Sequence, residues 1–300
     1  MATSGSSALQ NILDNAASND LYRYPTDFTR GIIPKAFHSH NDYWRDVPFY
    51  TALSHGAISI EADVYLVNNT ALLVGHEPAA LTPARTLTAL YINPILDTLH
   101  RSNPPSSSSS SPPSRNGVYD TTSTQTLYLF IDLKTPGPET WPAVLSALAP
   151  LREADYLTTY DGETLRPGPI TVVGTGNTPL ALVQAPASAQ SPRYAFYDAH
   201  LALLDTSESN VTRFEAPIAS TAFTAAVGEA RAGRLNETQR AVVRAQVEAA
   251  HARGILTRYW DLPGWPVGTR NAVWRELWDC GVDLVNADDL KAVAEEWVME

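Results

Sequence analysis

The chain has 300 residues, of which 44% are hydrophobic and 18% charged, and it carries a formal net charge of −11. This length and composition predict one large globular domain, and the acidic balance excludes a general basic surface for nucleic acid or anionic lipid. The one cysteine, Cys280, rules out an internal disulfide. The apolar runs are too short to predict a transmembrane span. Because the chain is acidic, an anionic substrate would need a bound metal or a few well-placed cations.

The signals for a cellular compartment point in two directions. The N-terminal stretch Met1–Ala17 is rich in serine and alanine and lacks the basic start and apolar core of a signal peptide. Three N-x-S/T sequons, at Asn68, Asn210 and Asn236, are instead typical of a secretory or vacuolar history. Asn236 equally suits a helix N-cap, so both a secretory and an intracellular location stay open.

After an N-terminal extension over residues 1–30, runs with strand character alternate with stretches of helical spacing. Eight strands are predicted, in chain order Pro34–His40, Ala57–Leu66, Leu127–Leu133, Pro169–Gly174, Arg193–Asp198, Ala216–Ser220, Ile255–Asp261 and Val282–Asn286. The clearest helices are Asn236–Arg253, which Asn236 caps and Gly254 stops, and Arg270–Cys280, which ends at Gly281. This alternation predicts an α/β protein with a single closed (β/α)8 TIM barrel over residues 31–300.

Two segments interrupt the repeat without dividing the domain. A turn at Val67–Thr70 and a returning strand at Leu72–Val74 predict a β-hairpin extension after strand 2, which brings His76 back beside that strand. The proline- and serine-rich stretch at residues 104–113 predicts a mobile surface loop. A doubly wound sheet is the alternative fold, and the lack of a glycine-rich phosphate loop after the first strand weighs against it.

Polar side chains occur near the ends of three predicted strands, where TIM-barrel enzymes carry their active sites. Side chains two residues apart on a strand point to the same side. This rule pairs His38 with His40, Glu61 with Asp63, and Asp132 with Lys134. Carboxylates within apolar strands are costly to bury alone, and a hard cation such as Mg²⁺ or Ca²⁺ removes that cost.

Several of these segments resemble known phosphodiesterase motifs. His38–Arg45 resembles the Ser-His-Asn-Thr-Tyr motif of phosphoinositide-specific phospholipase C. Glu61–Asp63 resembles the Glu-x-Asp metal motif of phospholipase C, glycerophosphodiester phosphodiesterases and sphingomyelinase D, and His76 follows at the spacing of their second histidine. Phe130–Thr135 is similar to a segment of sphingomyelinase D, and Asn286–Asp289 to the strand-eight ending of the glycerophosphodiesterases. The chain thus resembles the phospholipase C-like superfamily, most of all its fungal altered-inheritance-of-mitochondria type.

The resemblance implies a metal-dependent phosphodiester hydrolase or lyase, phospholipase C/D-like, that acts on a phospholipid or glycerophosphodiester through two histidines. His40 would be the base and His76 the acid, although alignment with sphingomyelinase D favours His38 instead, and Lys134 would face the phosphate. One Mg²⁺ or Ca²⁺ would be held by Asn41, Glu61, Asp63 and Asp132. Trp44, Arg45, Trp260 and His200 also lie near strand ends, and we predict that they contact the substrate.

Two other functions compete with this hypothesis. A zinc metallohydrolase would use the His38-x-His40 pair, but such sites need further histidines on later strands, where His200 alone is available. A non-catalytic barrel would bind a phosphorylated lipid without turnover. We expect a monomer with a small-molecule phosphodiester or phospholipid as its partner. The substrate, the bond that is cut and the metal stay open.

Overall fold

The computed structural model describes residues 4–16, 19–22, 24, 26–104, 115–230 and 233–297. Apart from Pro104, the predicted proline- and serine-rich loop lies outside these residues. The segment before the barrel contacts it, because Thr26 Oγ1 donates to the Asp120 carboxylate and Arg101 lies over the Phe28 ring. A boundary between extension and barrel at residue 30 stays a prediction.

The strands fall where the hydrophobic pattern predicts them, within a few residues at each end. Their bounds are β1 Lys35–Ser39, β2 Ala57–Val67, β3 Ala71–Val74, β4 Leu127–Leu133, β5 Thr159–Tyr160, β6 Leu165–Arg166, β7 Ile170–Gly176, β8 Phe196–His200, β9 Ile218–Ala222, β10 Leu256–Trp260 and β11 Leu284–Ala287.

Nine of these strands form one sheet, in the order β1-β11-β10-β9-β8-β7-β4-β2-β3. An additional parallel pairing between β1 and β2 closes the sheet on itself. Strand β3 is antiparallel to β2 and lies outside the closed ring, so the ring has eight parallel strands. This confirms the predicted TIM barrel and the hairpin extension after the second strand. Strands β5 and β6 form a separate small hairpin.

Ten α-helices are present in the described residues. Their bounds are α1 Ser4–Asn15, α2 Tyr50–His55, α3 Asn93–Ser102, α4 Gly137–Ala147, α5 Ala149–Glu153, α6 Leu180–Val183, α7 Phe223–Val227, α8 Glu237–His251, α9 Val267–Asp279 and α10 Leu290–Glu296. Asn236 caps α8 in a reciprocal capping box with Gln239, as an N-cap residue followed by glutamine at the third helical position predicts. None of the helices in the described part of the chain has the length and apolar character that a membrane crossing requires.

The barrel interior is layered because every second side chain of a strand points inward. One buried layer is apolar and consists of Phe130, Val173, Ile218 and Leu284. Two residues further along these same strands, the inward side chains are polar and consist of Asp132, Thr175, Ser220 and Asn286. The interior is therefore a packed floor, and the polar groups lie above it at the carboxyl ends of the strands.

Candidate active site

A cavity of about 500 Å³ opens at the carboxyl-terminal end of the barrel, above the apolar floor. Within the described residues its lining comprises His40, Asn41, Glu61, Asp63, His76, Asp132, Lys134, Thr175, Gly176, Tyr197, Asp198, Ala199, His200, Ser220, Thr221, Ala222, Arg258 and Trp260. Nine of the twelve predicted site residues are in this set. His38, Trp44 and Arg45 lie next to the cavity without lining it.

Three carboxylates form a tight cluster in the cavity, because adjacent parallel strands bring them level. Asp63 on β2 pairs in register with Asp132 on β4, and Glu61 lies two residues earlier on the same face of β2. One oxygen from each of the three carboxylates lies within 4.8 Å of the others. Gly176 at the end of β7 makes room for this cluster, since a Cβ there would lie 2.0 Å from Asp132 Oδ1.

The acidic cluster raises the proton affinity of its central member. Burial, together with the negative charges of Glu61 and Asp132, raises the pKa of Asp63 to about 6. Burial also raises the pKa of Asp132, although the Lys134 ammonium opposes the shift. Lys134 Nζ lies 3.0 Å from Asp63 Oδ2 and 3.0 Å from Asp132 Oδ2. Burial alone would lower the pKa of Lys134, but these two carboxylates outweigh it and raise that pKa, so the lysine stays charged.

Contacts with His38, Arg258 and the backbone of Asn41 favour the ionised form of Glu61. Burial would raise its pKa, but the contact with His38 and the charge of Arg258 outweigh burial and lower it. Arg258 Nη2 lies 3.8 Å from Glu61 Oε1. The backbone N–H of Asn41 donates to Glu61 Oε2 at 3.0 Å. Asn41 adopts a left-handed conformation with φ of 47°, which asparagine tolerates better than most residues, and this turn places its N–H in the cavity wall.

The two histidines of the His38-x-His40 pair occupy different levels of the barrel. His38 is fully buried in β1, packs edge-on against Phe130 at 4.8 Å and contacts Ser59 Oγ through Nδ1 at 2.7 Å. Burial lowers the pKa of His38 to about 3, so its ring is neutral. His40 lies just past the end of β1, with 27% of its side chain exposed, and lines the cavity.

Of the three histidines in the described cavity lining, the two predicted as base and acid each have an acidic partner at one ring nitrogen. His40 Nδ1 lies 2.9 Å from Asp288 Oδ1, and Asp288 follows β11, the strand beside β1. His76 Nδ1 lies 3.3 Å from Asp63 Oδ2 and 3.0 Å from the Tyr43 hydroxyl. In both rings Nε2 is then the nitrogen that can face a substrate.

Tyr43 connects the second histidine to the acidic cluster. Its hydroxyl has one proton to donate, and both Asp63 Oδ2, at 2.7 Å, and Asn41 Oδ1 lie within hydrogen-bonding distance of it. The side chain is buried, and burial with the charge of Asp63 raises the pKa of Tyr43 far above its ordinary value. The hydroxyl therefore stays protonated and holds His76, Asp63 and Asn41 in one hydrogen-bonded unit.

The remaining predicted residues differ in where they lie. Trp44 is exposed and contacts the His76 ring edge-on at 5.4 Å. Arg45 donates to the backbone carbonyls of His40 and Asp288, so it ties together the loops after β1 and β11. Trp260 and His200 line the far side of the cavity, and His200 Nδ1 lies 2.7 Å from Glu208 Oε1.

Sequence reasoning assigned no role to four residues that the structure brings into the site, namely Tyr43, Asp198, Arg258 and Asp288. Tyr43 and Asp288 belong to segments that carry the resemblance, so their motifs held a signal. Arg258 and Asp198 sit within strands of otherwise ordinary alternation, where an inward charge cannot be told from an outward one without the register.

The donor set fits a hard divalent cation. Asp63 Oδ1 is buried and has no hydrogen-bond partner among the described residues. A lone buried carboxylate oxygen beside two further carboxylates is costly unless a cation neutralises it. Oxygen donors of this kind suit Mg²⁺ or Ca²⁺, whereas structural and catalytic zinc sites rely on histidine and cysteine as well.

Residues 26–198 match the model of the AIM6-like phosphodiesterase domain. The chain belongs to this family. It is 50% identical over 297 residues to the altered inheritance of mitochondria protein 6 homolog of Arthroderma benhamiae, covering 96% of this chain and 91% of that protein. It is 37% identical over 271 residues to altered inheritance of mitochondria protein 6 of Eremothecium gossypii, covering 86% of this chain and 68% of that protein.

Among solved structures, the chain matches phosphatidylinositol-specific phospholipase C from Listeria monocytogenes with a TM-score of 0.45 and 9% identity. That match covers 92% of this chain and 100% of the other. The family membership makes phosphodiester cleavage the general reaction class of the chain.

Proposed function

We propose that this protein is a metal-dependent phosphodiester hydrolase or lyase that cleaves a phospholipid or glycerophosphodiester by acid–base catalysis with His40 and His76. One observation carries the proposal. Both histidines line the same cavity as the cluster of Glu61, Asp63 and Asp132. A phosphate held at such a cluster would lie between two imidazoles, each with one ring nitrogen available for proton transfer.

His40 suits the role of general base. If Nδ1–H donates to Asp288, Nε2 carries the lone pair that accepts a proton from the attacking hydroxyl. The carboxylate also stabilises the imidazolium that forms. The attacking group is water in a hydrolase, or a substrate hydroxyl next to the phosphate in a lyase that forms a cyclic product. His38 is buried and has a low pKa, so it carries no proton to substrate. It contacts Glu61 in the layer of the barrel below the cavity.

His76 suits the role of general acid for the leaving alcohol. Its Nδ1 contacts the Asp63 carboxylate and the Tyr43 hydroxyl, and these two groups orient the ring. The ring can then give the Nε2 proton to the departing oxygen. Trp44 packs on one edge of the ring.

Asn41, Glu61, Asp63 and Asp132 are the residues that would hold one Mg²⁺ or Ca²⁺. When bound, the cation supplies electrostatic stabilisation of the negative charge that grows on the phosphate oxygens. Lys134 is positively charged beside Asp63 and Asp132, and it supplies a second cationic group at the same place. These charges matter because the protein as a whole is acidic and would otherwise repel a phosphodiester.

The test is a ³¹P NMR screen of the purified protein on glycerophosphodiesters, lysophospholipids and sphingomyelin, with Mg²⁺, Ca²⁺, Zn²⁺ or a chelator. Turnover that requires Mg²⁺ or Ca²⁺ and disappears in His76→Ala supports the proposal, and the product identifies the bond that is cut. Turnover with zinc alone would favour the metallohydrolase. Binding of a phospholipid that survives substitution of both His40 and His76, without turnover in the wild type, would favour the non-catalytic barrel.

A further inference from the structure

Arg45 contacts the backbone of both residues in the His40–Asp288 pair. One nitrogen of its guanidinium group, Nη2, donates to the carbonyl of His40 at 3.2 Å and to the carbonyl of Asp288 at 2.8 Å. The side chains of these same two residues pair, with His40 Nδ1 2.9 Å from Asp288 Oδ1. A single side chain therefore connects the two loops that carry the pair.

The pair lies just past the point where the strand ladder ends. The ladder between β1 and β11 ends with Ser39 opposite Ala287, and the N–H of His40 donates to the Ala287 carbonyl at 3.1 Å. The side chains of His40 and Asp288 are 27% and 64% exposed. An ion pair this exposed contributes little and does not by itself fix the geometry of its two side chains. A further contact is needed to hold the ring of His40 in one orientation.

The backbone that carries Arg45 is itself held in place. Its N–H donates to the Asp42 carbonyl at 3.0 Å. Asp42 is fully buried, and its carboxylate accepts hydrogen bonds from Ser39 Oγ and from the N–H of Phe49, both at 2.7 Å. The turn after β1 is thus fixed, and the guanidinium group extends from a defined position toward β11.

The contacts of Arg45 have a cost in stability. Its Nε is buried and has no hydrogen-bond partner among the described residues. A buried N–H without an acceptor is unfavourable, and this opposes the gain from the two hydrogen bonds of Nη2. Unpaired groups of this kind in a protein need an explanation, and the position of Nη2 between the carbonyls of His40 and Asp288 offers one.

We infer that Arg45 is a positioning residue, which holds the His40–Asp288 pair so that His40 Nε2 faces the substrate. The inference rests on the proposed function, in which His40 is the general base. Proton transfer depends first on geometry, so a base that is aligned before the substrate arrives is the more effective one. The contact with substrate that the sequence predicts is the alternative role, because a guanidinium group is also a typical phosphate ligand.

The test is a double-mutant cycle of Arg45→Met and Asp288→Asn, measured with saturating metal on a diester that the ³¹P NMR screen identifies. We expect Arg45→Met to lower kcat about tenfold or more, with a change in KM below about twofold. In the Asp288→Asn protein the same substitution should lower kcat less than about twofold, because the pair that Arg45 positions is already lost.

The matched control is Arg253→Met. Arg253 lies outside the described cavity lining, and its guanidinium group also donates to two backbone carbonyls, those of Ala249 and Leu204. We expect this variant to keep the kcat of the wild type. Melting temperatures of all variants identify a loss that comes from unfolding. If Arg45→Met does not fold, Arg45→Gln takes its place, since its side chain is too short to reach either carbonyl.

Three outcomes would overturn the inference while leaving the phosphodiesterase proposal intact. They are an equal loss of kcat in both backgrounds, no loss in either, and a rise in KM with kcat unchanged, which would make Arg45 a substrate contact. If the wild type cleaves no diester, NMR of the histidine ring nitrogens tests the inference without turnover, at a pH where the ring is neutral and with His40→Gln for assignment. We expect the His40 proton on Nδ1 in the wild type and a changed tautomer in Arg45→Met, because the hydrogen bond at one ring nitrogen sets which of the two is protonated. An unchanged tautomer would refute the positioning role.

Discussion

The two walls of the cavity are built from different kinds of side chain. The wall on β1, β2 and β4, here the acidic wall, consists of His40, Glu61, Asp63, His76, Asp132 and Lys134. His40 Nε2 lies 3.9 Å from Glu61 Oε2, and a second set of contacts at 3.0 to 3.3 Å joins His76, Asp63, Lys134 and Asp132. The wall on β8, β9 and β10, here the opposite wall, carries mainly hydroxyl and aromatic groups and consists of Tyr197, Asp198, Ser220, Thr221 and Trp260. Asp198 Oδ1 has no hydrogen-bond partner among the described residues.

This difference separates two tasks that share one cavity. Stabilising a developing charge needs charged groups that are fixed before the substrate arrives, and the acidic wall holds them with its own contacts. The rest of a bound substrate needs groups that complete their hydrogen bonds with it, and the opposite wall carries hydroxyls and a carboxyl group of that kind. Substitutions on the two walls should therefore have different kinetic signatures.

The largest effect is expected for the histidine that donates the proton. His76→Ala should lower kcat by about 10²- to 10⁴-fold, since a positioned general acid contributes a factor of that order. The side chain is 45% exposed, so the melting temperature should change little. His251→Ala is the control, because that histidine is similarly exposed and pairs with Asp283, which precedes β11 and lies far from the cavity. A loss of activity in both variants would contradict the assignment.

Loss of a cluster carboxylate should act on metal binding. Asp132→Asn should weaken Mg²⁺ or Ca²⁺ binding about tenfold or more in calorimetry, because affinity depends on the number of charged oxygen ligands. The pKa of Asp132 is raised in the fold, so its ionised form destabilises the metal-free protein at neutral pH. The metal-free variant should thus melt no lower than the wild type, and added metal should raise its melting temperature less. Unchanged affinity would remove Asp132 from the ligand set.

The fold was largely predictable from sequence, because its signals are local. Strand β4 has the predicted bounds, the turn at Val67–Thr70 forms the predicted hairpin, and Asn236 caps the predicted helix. The motifs predicted that two histidines and three carboxylates would meet, and His40, His76, Glu61, Asp63 and Asp132 do line one cavity, while their roles stay a prediction.

Some features of the site cannot be predicted from the sequence, because they depend on strand register and on the layer of the barrel that a side chain occupies. His38 and His40 are two residues apart, and a strand rises about 3.3 Å per residue, so the two side chains occupy different layers of the barrel. One layer is buried against Phe130 and the other opens to the cavity. The partners of Arg258 could not be predicted either, because its contacts with Glu61 and Asn286 join three strands. Such partners are set by tertiary packing across 25 or more residues of sequence.

A smaller effect is expected from the tyrosine that connects His76 to the acidic wall. Tyr43→Phe keeps the ring and removes the hydroxyl that contacts Asp63 and His76. We expect kcat to fall about tenfold with little change in KM, as supporting groups around a site commonly contribute factors of 10 to 100. Tyr160→Phe, in the small β5–β6 hairpin, is the control. A change in KM alone would mean that Tyr43 acts on substrate binding.

The smallest effect concerns His200 and Glu208, which flank the opposite wall and should contribute to stability rather than to catalysis. The contact with Glu208 raises the pKa of His200, and the negative charge of Asp198 adds to the shift. Burial would raise the pKa of Glu208, but the contact with His200 outweighs burial and lowers it. The histidine's contribution is fully present below its unfolded pKa and is lost as the pH rises through its folded value. The glutamate's contribution is present above its unfolded pKa and is lost as the pH falls through its folded value.

The pair therefore stabilises the fold most between the unfolded pKa values of the two groups, at roughly pH 4.5 to 6.5. His200→Gln should lower the free energy of unfolding by up to about 1 kcal/mol at pH 5.5, a small effect because solvent screens the partly exposed pair. The loss should be smaller at pH 8.5, because the histidine has then lost its proton. Glu208→Gln should show the same dependence, since either change breaks the same pair. Urea unfolding at the two pH values measures the difference. A loss that is equal at both would show that His200 acts through packing, and a large loss of kcat would place it with the acidic wall.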